Sequence, residues 1–273
     1  MPMKDKTNFS AGHKKYLAGL KRRKIAVSAM RWGLLAAVIA LWELLAKTGV
    51  IDSFITSCPS RIWDTFLTLC KDGSLFEHAG VTLFETVVSF LIATVAGTLI
   101  AIALWWCDTL RNVLEPHLVV LNALPKIALG PVIIIWVGAG TGAIIVMALM
   151  ISLIITVLST LNGFLEVDKG KITLLDTMNA TKLQKLIYLV LPSNVPTIIS
   201  ALKINVGLCW VGTIMGEYLV SRAGLGYLII YGGQVFKLDL VMTSTVVLCV
   251  LAALMYAVVA LLEKLVNKKF GKD

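Results

Sequence analysis

The chain has 273 residues, of which 58% are hydrophobic and 15% charged, and its mean hydropathy is +0.87. Soluble domains are roughly 45–50% apolar and about 25% charged, so this composition argues against an ordinary soluble enzyme and excludes a disordered or collagen-like chain. The formal charge of +9 has much of its excess at the two ends, which fits a membrane protein with basic flanks better than a surface for nucleic acid.

In chain order, residues 1–31 carry nine basic groups (Lys4, Lys6, Lys14, Lys15, Lys21, Arg22, Arg23, Lys24 and Arg31) against Asp5. This region is too long for a cleavable signal, and no small-residue cleavage site follows the first apolar run. Apolar runs then occur at about 26–46, 81–106, 118–137, 143–161, 198–220 and 240–262. Each is near the ~20 residues that a helix needs to cross a bilayer. Arg31 and Glu43, near the ends of the first run, are placed to reach the headgroups by snorkelling. The tail holds Lys264, Lys268, Lys269 and Lys272 against Glu263 and Asp273.

The expected fold is therefore an all-α membrane protein of about six transmembrane helices with both termini cytoplasmic. The connection 47–79 is slightly acidic and reads as external, whereas 162–197 is basic and reads as internal. The domain division is a basic segment 1–25, a transmembrane region 26–263 and a basic tail 264–273. Five scattered cysteines without a C-x-x-C pair read as small buried hydrophobes.

The connection 162–197 has helical periodicity of its own. Ile172 and Leu175 begin one apolar face, and Leu183, Leu186, Ile187 and Val190 form a second. Between them Asn179 suits a left-handed break, and Thr181 with Gln184 fits a capping box. Leu191-Pro192 is expected to end the second short helix, and Pro196 suits the first turn of the fifth span. Such a hinged pair of amphipathic helices either lies flat on the membrane or docks in a groove of a cytoplasmic partner.

Ionisable and amide groups inside the spans are functional candidates. Glu85 either lines a solvated cavity, faces the outer interface or pairs with Lys126. Lys126 follows Pro125, which breaks the third run and frees carbonyls. Asn122 and Asn205 either contact an anionic solute or bridge helices. Glu217, near the outer end of the fifth run, reads as loop-ordering. Gly138, Gly140 and Gly142 suit a tight external turn, and Tyr227 and Tyr231 suit interface anchors.

Taken together, these segments resemble the permease subunits of bacterial ATP-binding-cassette importers, and among them the nitrate/sulfonate/taurine group. That family carries a cytoplasmic signature beginning Glu-Ala-Ala, with Gly-Ala-Ser a few residues on and Leu-Pro at the end. Anchored on Leu191-Pro192, Gly-Ala-Ser falls on Asn179-Ala180-Thr181 and Glu-Ala-Ala on Thr173-Leu174-Leu175. The family Glu is Thr173 here and the family Gly is Asn179. The Cys58-Pro59-Ser60 stretch, the run from Leu121 through Leu124-Pro125 to Gly130-Pro131 and Trp136-Val137-Gly138, and the order Glu217 then Gly224-Leu225-Gly226 agree with the same family.

The resemblance implies a type I importer permease with a core at about 78–262 and a coupling loop at 171–192. It implies a second permease copy (identical or different), cytoplasmic ABC ATPase subunits that bind the ATP and Mg²⁺, an extracytoplasmic substrate-binding protein, and a small solute of the anionic nitrate, sulfonate, taurine or bicarbonate class. Related systems carry vitamin precursors. The other reading is a secondary transporter or channel working without an ATPase.

The chain itself has no nucleotide-binding motif. Gly170-Lys171 lacks both the upstream glycine and the following hydroxyl of a P-loop. His13, His78 and His117 lack metal-ligand spacing. No catalytic constellation, metal or cofactor is expected in the chain.

Overall fold

The computed structural model describes the backbone of residues 11–269 and the side chains of 19, 20, 22, 23 and 25–266. Lys4, Lys6 and Lys272, and the side chains of His13, Lys14, Lys15, Lys21, Lys24, Lys268 and Lys269, lie outside the described residues. All described secondary structure is helical. The chain divides into two units, Met1–Asp64 and Thr65–Asp273.

The first unit holds α1 (Ala11–Lys47), α2 (Ser53–Thr56) and the start of α3 (Pro59–Lys71). Within α1, the stretch Ile25–Lys47 is apolar enough to cross a membrane. Glu43 does more than reach for headgroups. Its carboxylate accepts from the Ser60 backbone N–H at 3.1 Å and from the Ser60 hydroxyl, while Lys47 pairs with it at 2.9 Å. The Pro-Ser element is thus the start of α3, with Pro59 at the first helical position, where its missing N–H costs nothing.

The second unit takes in the rest of α3 and then α4 (Ser74–Trp106), which starts before the apolar run and buries Leu75 in its first turn. It is followed by α5 (Asp108–Ala123), a 3₁₀ turn at Lys126–Leu129 and α6 (Gly130–Val137). The third run is thus broken at Pro125, as expected, into a pair bent by 87° whose first helix begins earlier than the run, at Asp108. Pro125 pushes Leu124 into the extended region, with ψ at 142°. Next come α7 (Thr141–Leu165), α8 (Lys169–Thr177), α9 (Lys182–Lys185), a π-helical turn at Leu186–Val190, α10 (Leu191–Val220), α11 (Leu225–Gln234) and α12 (Leu238–Lys269). Among the described residues, five helices are long and apolar enough to span a bilayer, or six if the bent pair counts as one span.

A correction concerns Leu191-Pro192. These residues do not end a helix, because Lys182–Val220 is continuous. The turn before Pro192 widens, and the Leu191 N–H bonds the Leu186 carbonyl five residues back. That register accommodates the proline that an α-helical register would reject. Pro196 likewise lies inside α10 rather than in its first turn. Ser193 donates to the Leu189 carbonyl and Asn194 to that of Val190, which satisfies groups near the two prolines.

The centre of the unit is α7, packed against α4 and α10. Helices in lipid associate through close packing of small residues rather than hydrophobic exclusion. The seam follows that rule: Ala143, Ala148, Ser152, Thr156 and Thr160 are buried on α7. A Cβ at Gly212 of α10 would lie 2.5 Å from the Ala148 Cα, so glycine alone permits this approach. Buried hydroxyls turn back onto their own helices. Thr86, Ser89, Ser152 and Thr156 each donate to the carbonyl four residues earlier at 2.7–2.8 Å, leaving few donors to be satisfied across the seam.

Lys203 pairs with Glu263, joining α10 to α12. Of the cysteines, Cys58 and Cys209 are buried as expected, whereas Cys107 and Cys249 are exposed.

Candidate functional site

The α7–α10 connection folds as a braced elbow. Asp168 caps α8 through the Gly170 N–H at 2.8 Å. Thr173 donates to the Lys169 carbonyl at 2.9 Å, keeping its hydroxyl on its own helix. At the end of α8, Asn179 takes the left-handed conformation with φ of 54°. The Ala180 N–H then bonds the Leu175 carbonyl at 2.9 Å, and the Asn179 N–H bonds that of Asp176 at 3.0 Å. This is the Schellman arrangement that terminates helices. Thr181 and Gln184 form the capping box in both directions: the Thr181 N–H reaches the Gln184 Oε1 at 2.7 Å, and the Gln184 N–H reaches the Thr181 Oγ1 at 3.3 Å.

The elbow is closed by an ion pair between Lys185 and Asp176. Lys182 reaches out of it, donating to the Trp106 carbonyl at 2.7 Å and lying over the Trp105 ring at 5.7 Å. One side of the elbow is anchored. Leu186 and Val190 are buried with Leu104, Leu161 and Phe164, and Ile172, Leu189 and Leu191 pack against that cluster. The other side is bare: Leu174 is 61% exposed, Met178 70% and Tyr188 75%. The apolar face expected of Leu183, Leu186, Ile187 and Val190 is split, with Leu186 and Val190 buried and Leu183 and Ile187 exposed.

The four candidate pathway residues do not form one site. Lys126 donates to the side chain and carbonyl of Asn122, both at 3.1 Å, so these two meet at the break between α5 and α6. There the lysine side chain satisfies a carbonyl in the last turn of α5, which the end of the helix leaves without a helical donor. Asn205 is buried and donates to the Thr94 hydroxyl of α4 at 3.4 Å, a bridge between helices. Glu85 does not pair with Lys126. It is buried beside Glu217 and lines a cavity of about 390 Å³ with Thr141, Ser221 and Arg222.

Glu217 orders the far elbow. Its Oε2 accepts the Gly226 N–H at the start of α11. The adjoining Leu225 N–H goes to Thr82 at 2.8 Å, and the Gly224 N–H to His78 at 3.0 Å. Gly224 has φ of 121°, and a Cβ there would lie 2.5 Å from the Glu217 carboxyl group. Tyr227 stacks between His78 and Tyr231. Gly138 and Gly140 form the expected turn with φ of 91° and 142°, whereas Gly142 is helical.

Sequence reasoning missed Lys182, the Asp176–Lys185 pair and the Glu43–Ser60 cap. Only the helix-end position of each group hinted at a capping role. Among the described residues, no group of three His, Cys, Asp or Glu side chains is placed to hold a metal.

Comparison with known proteins places this architecture. The aliphatic sulfonates transport permease protein SsuC of Bacillus subtilis, a putative assignment in its own name, is 27% identical over 84% of this chain and 83% of its own length. The taurine transport system permease protein TauC of Escherichia coli is 24% identical over 82% and 83%. The fold matches a chain in the crystal structure of a bacterial ABC transporter that imports the acidic polysaccharide alginate. That match has a TM-score of 0.64 at 16% identity and covers 91% of this chain and 98% of the other. Residues 89–272 match the family model itself, and the chain belongs to the binding-protein-dependent transport system inner membrane components.

Proposed function

We propose that this chain forms the translocation pathway of an ATP-binding-cassette importer and takes its power stroke through the elbow at 171–192. The observation that carries this reading is the combination of a rigid frame and a bare apolar face. Thr173, Leu175, Asn179, Ala180 and Thr181 make local contacts that fix the elbow. Leu174, Met178 and Tyr188 are left open beside Ala180. A helix-in-groove contact needs such apolar anchors on a helix that does not yield. Continuity of α9 with α10 through Leu191 and Pro192 gives the elbow a stiff link to the bundle. Two helices merely resting on lipid would not need the Schellman turn, the capping box and the ion pair together.

In this reading the elbow and both basic termini face the cytoplasm, where the positive flanks belong, and ABC ATPase subunits occupy the bare face. A substrate-binding protein delivers solute at the opposite end. A second permease copy covers α5 and α6, where Ile135 and Trp136 are each 80% exposed, while lipid covers the remaining outer faces. The break at Pro125 then borders the pathway, with Lys126 and Asn122 offering a cation and an amide to a small anion. The names of SsuC and TauC support the sulfonate class as the first to test.

The test is capture of the tagged chain from its native membranes in mild detergent. A stoichiometric ATPase is expected with the wild type, and a loss of about tenfold or more with Met178→Asp or Ala180→Asp, which place a charge in an apolar contact. Undiminished capture by both variants would overturn the assignment of the elbow. Absence of an ATPase from the wild type would favour a transporter acting alone.

A further inference from the structure

The contact from Lys182 to α4 has no part in building the elbow itself. The elbow is complete without it: the Schellman turn, the capping box and the Asp176–Lys185 pair all lie within 175–185. Lys182 instead crosses 76 positions of sequence to reach the last carbonyl of α4. There α4 ends on Cys107, whose N–H takes the Ala103 carbonyl. The following carbonyls of a helix end lack helical donors, and the end carries partial negative charge that favours a cation. The amine is held a second way by the face of Trp105. Capping, charge and ring thus converge on one side chain, which leaves the elbow one residue after its N-cap, Thr181.

We propose that Lys182 is a positioning residue that adds a polar, directional tether to the apolar contact Leu186 and Val190 already make with Leu104, so that displacement of the elbow carries the end of α4 with it. The inference rests on the reading of the elbow as the docking site. Through the backbone the elbow pulls α10. Through Lys182 it pulls α4 as well, and α4 is long: 33 residues, which at 1.5 Å per residue is about 50 Å. At its other end α4 carries His78 and Thr82, which hold the Gly224 and Leu225 N–H groups, and Glu85 of the far cavity. Moving α4 with α10 keeps those contacts in register while the α7 seam shears. Moving α10 alone would strain them.

The experiment uses the complex captured through the tagged full chain, reconstituted in nanodiscs and followed by hydrogen–deuterium exchange with and without Mg²⁺·ATP and vanadate. In the wild type, nucleotide is expected to change exchange at both 100–110, the end of α4, and 186–196, the start of α10. In Lys182→Met the change at 100–110 is expected to shrink about fivefold while that at 186–196 persists, since the backbone link to α10 is untouched and the remaining contact with Leu104 is apolar and non-directional. Lys182→Arg, which keeps the charge, the donors and the ring contact, is expected to restore it. A purely local cap would alter the resting exchange of 100–110 but leave its response to nucleotide intact.

A full nucleotide response at 100–110 in Lys182→Met would overturn the proposal. So would failure of Lys182→Arg to restore a response that methionine abolishes. No ATPase in the wild-type complex would overturn this proposal together with the docking reading. An ATPase that binds and drives changes at 186–196 in every variant, with 100–110 equally responsive throughout, would overturn the Lys182 link alone.

Discussion

The two ends of the second unit handle their polar groups in opposite ways. At the α8–α9 elbow the backbone breaks are satisfied locally, by Asn179, Ala180, Thr181 and Gln184, and the apolar side chains are turned outward. At the α10–α11 elbow the chain end is satisfied from a distance. Side chains of α4 and α10 (His78, Thr82 and Glu217) take three successive N–H groups, and Leu225 and Leu228 are buried. The first end is stiff by itself and open to a partner. The second depends on the alignment of α4 with α10. The proposed function, in which the assembly is driven from one end and responds at the other, calls for this asymmetry.

The α7–α10 seam is the tight packing that holds the bundle between the two ends, so breaking it has the largest expected effect. Gly212→Val places side-chain atoms against the Ala148 backbone, which cannot move aside as a flexible side chain can. Overpacking of this kind costs typically 1–3 kcal/mol, occasionally more. The melting midpoint in detergent is expected to fall by roughly 5–10 °C, with both elbows loosened together. An unchanged midpoint would mean that the seam is not the close contact described.

Glu217→Ala sharpens the comparison by attacking one end only. It strands the Gly226 N–H and removes the group that seats Gly224, a loss of about 1–3 kcal/mol. Exchange at 221–234 is expected to rise while that at 171–185 stays at the wild-type level. A rise at both elbows would show that they share one cooperative unit.

The smallest effects belong to Asn179. Valine in its left-handed conformation costs about 1–2 kcal/mol, whereas glycine is expected to fall within about 0.5 kcal/mol of asparagine. ATPase capture should follow that order. Equal capture by Asn179→Val and Asn179→Gly would remove the left-handed turn from the account of docking.

Legibility followed the distance over which each contact acts. The capping box at Thr181 and the left-handed Asn179 could be read directly, because both are decided within four residues. The apolar runs announced the spans, and Pro125 announced the break in the third, though not its 87° bend. Pro192 was misread. The rule that the residue before proline leaves the helix is local, and a widened π turn, supported by Ser193 and Asn194, overrides it. Glu85 and Glu217 stood out as acids in apolar runs, yet nothing in their spacing told that they are neighbours. Lys182 and Trp106, or Glu43 and Ser60, meet only after the helices have packed, so no periodicity foretells them.

The central claim is that the bare face of the α8–α9 elbow receives the ATPase and the opposite end does not. A photo-crosslinking residue placed at Met178, 70% exposed, and separately at Phe236, also 70% exposed after α11, tests it in native membranes. Crosslinking from position 178 to a nucleotide-binding subunit, with none from position 236, is the predicted result. An ATPase captured from position 236, or from neither position while the complex remains intact, would contradict it.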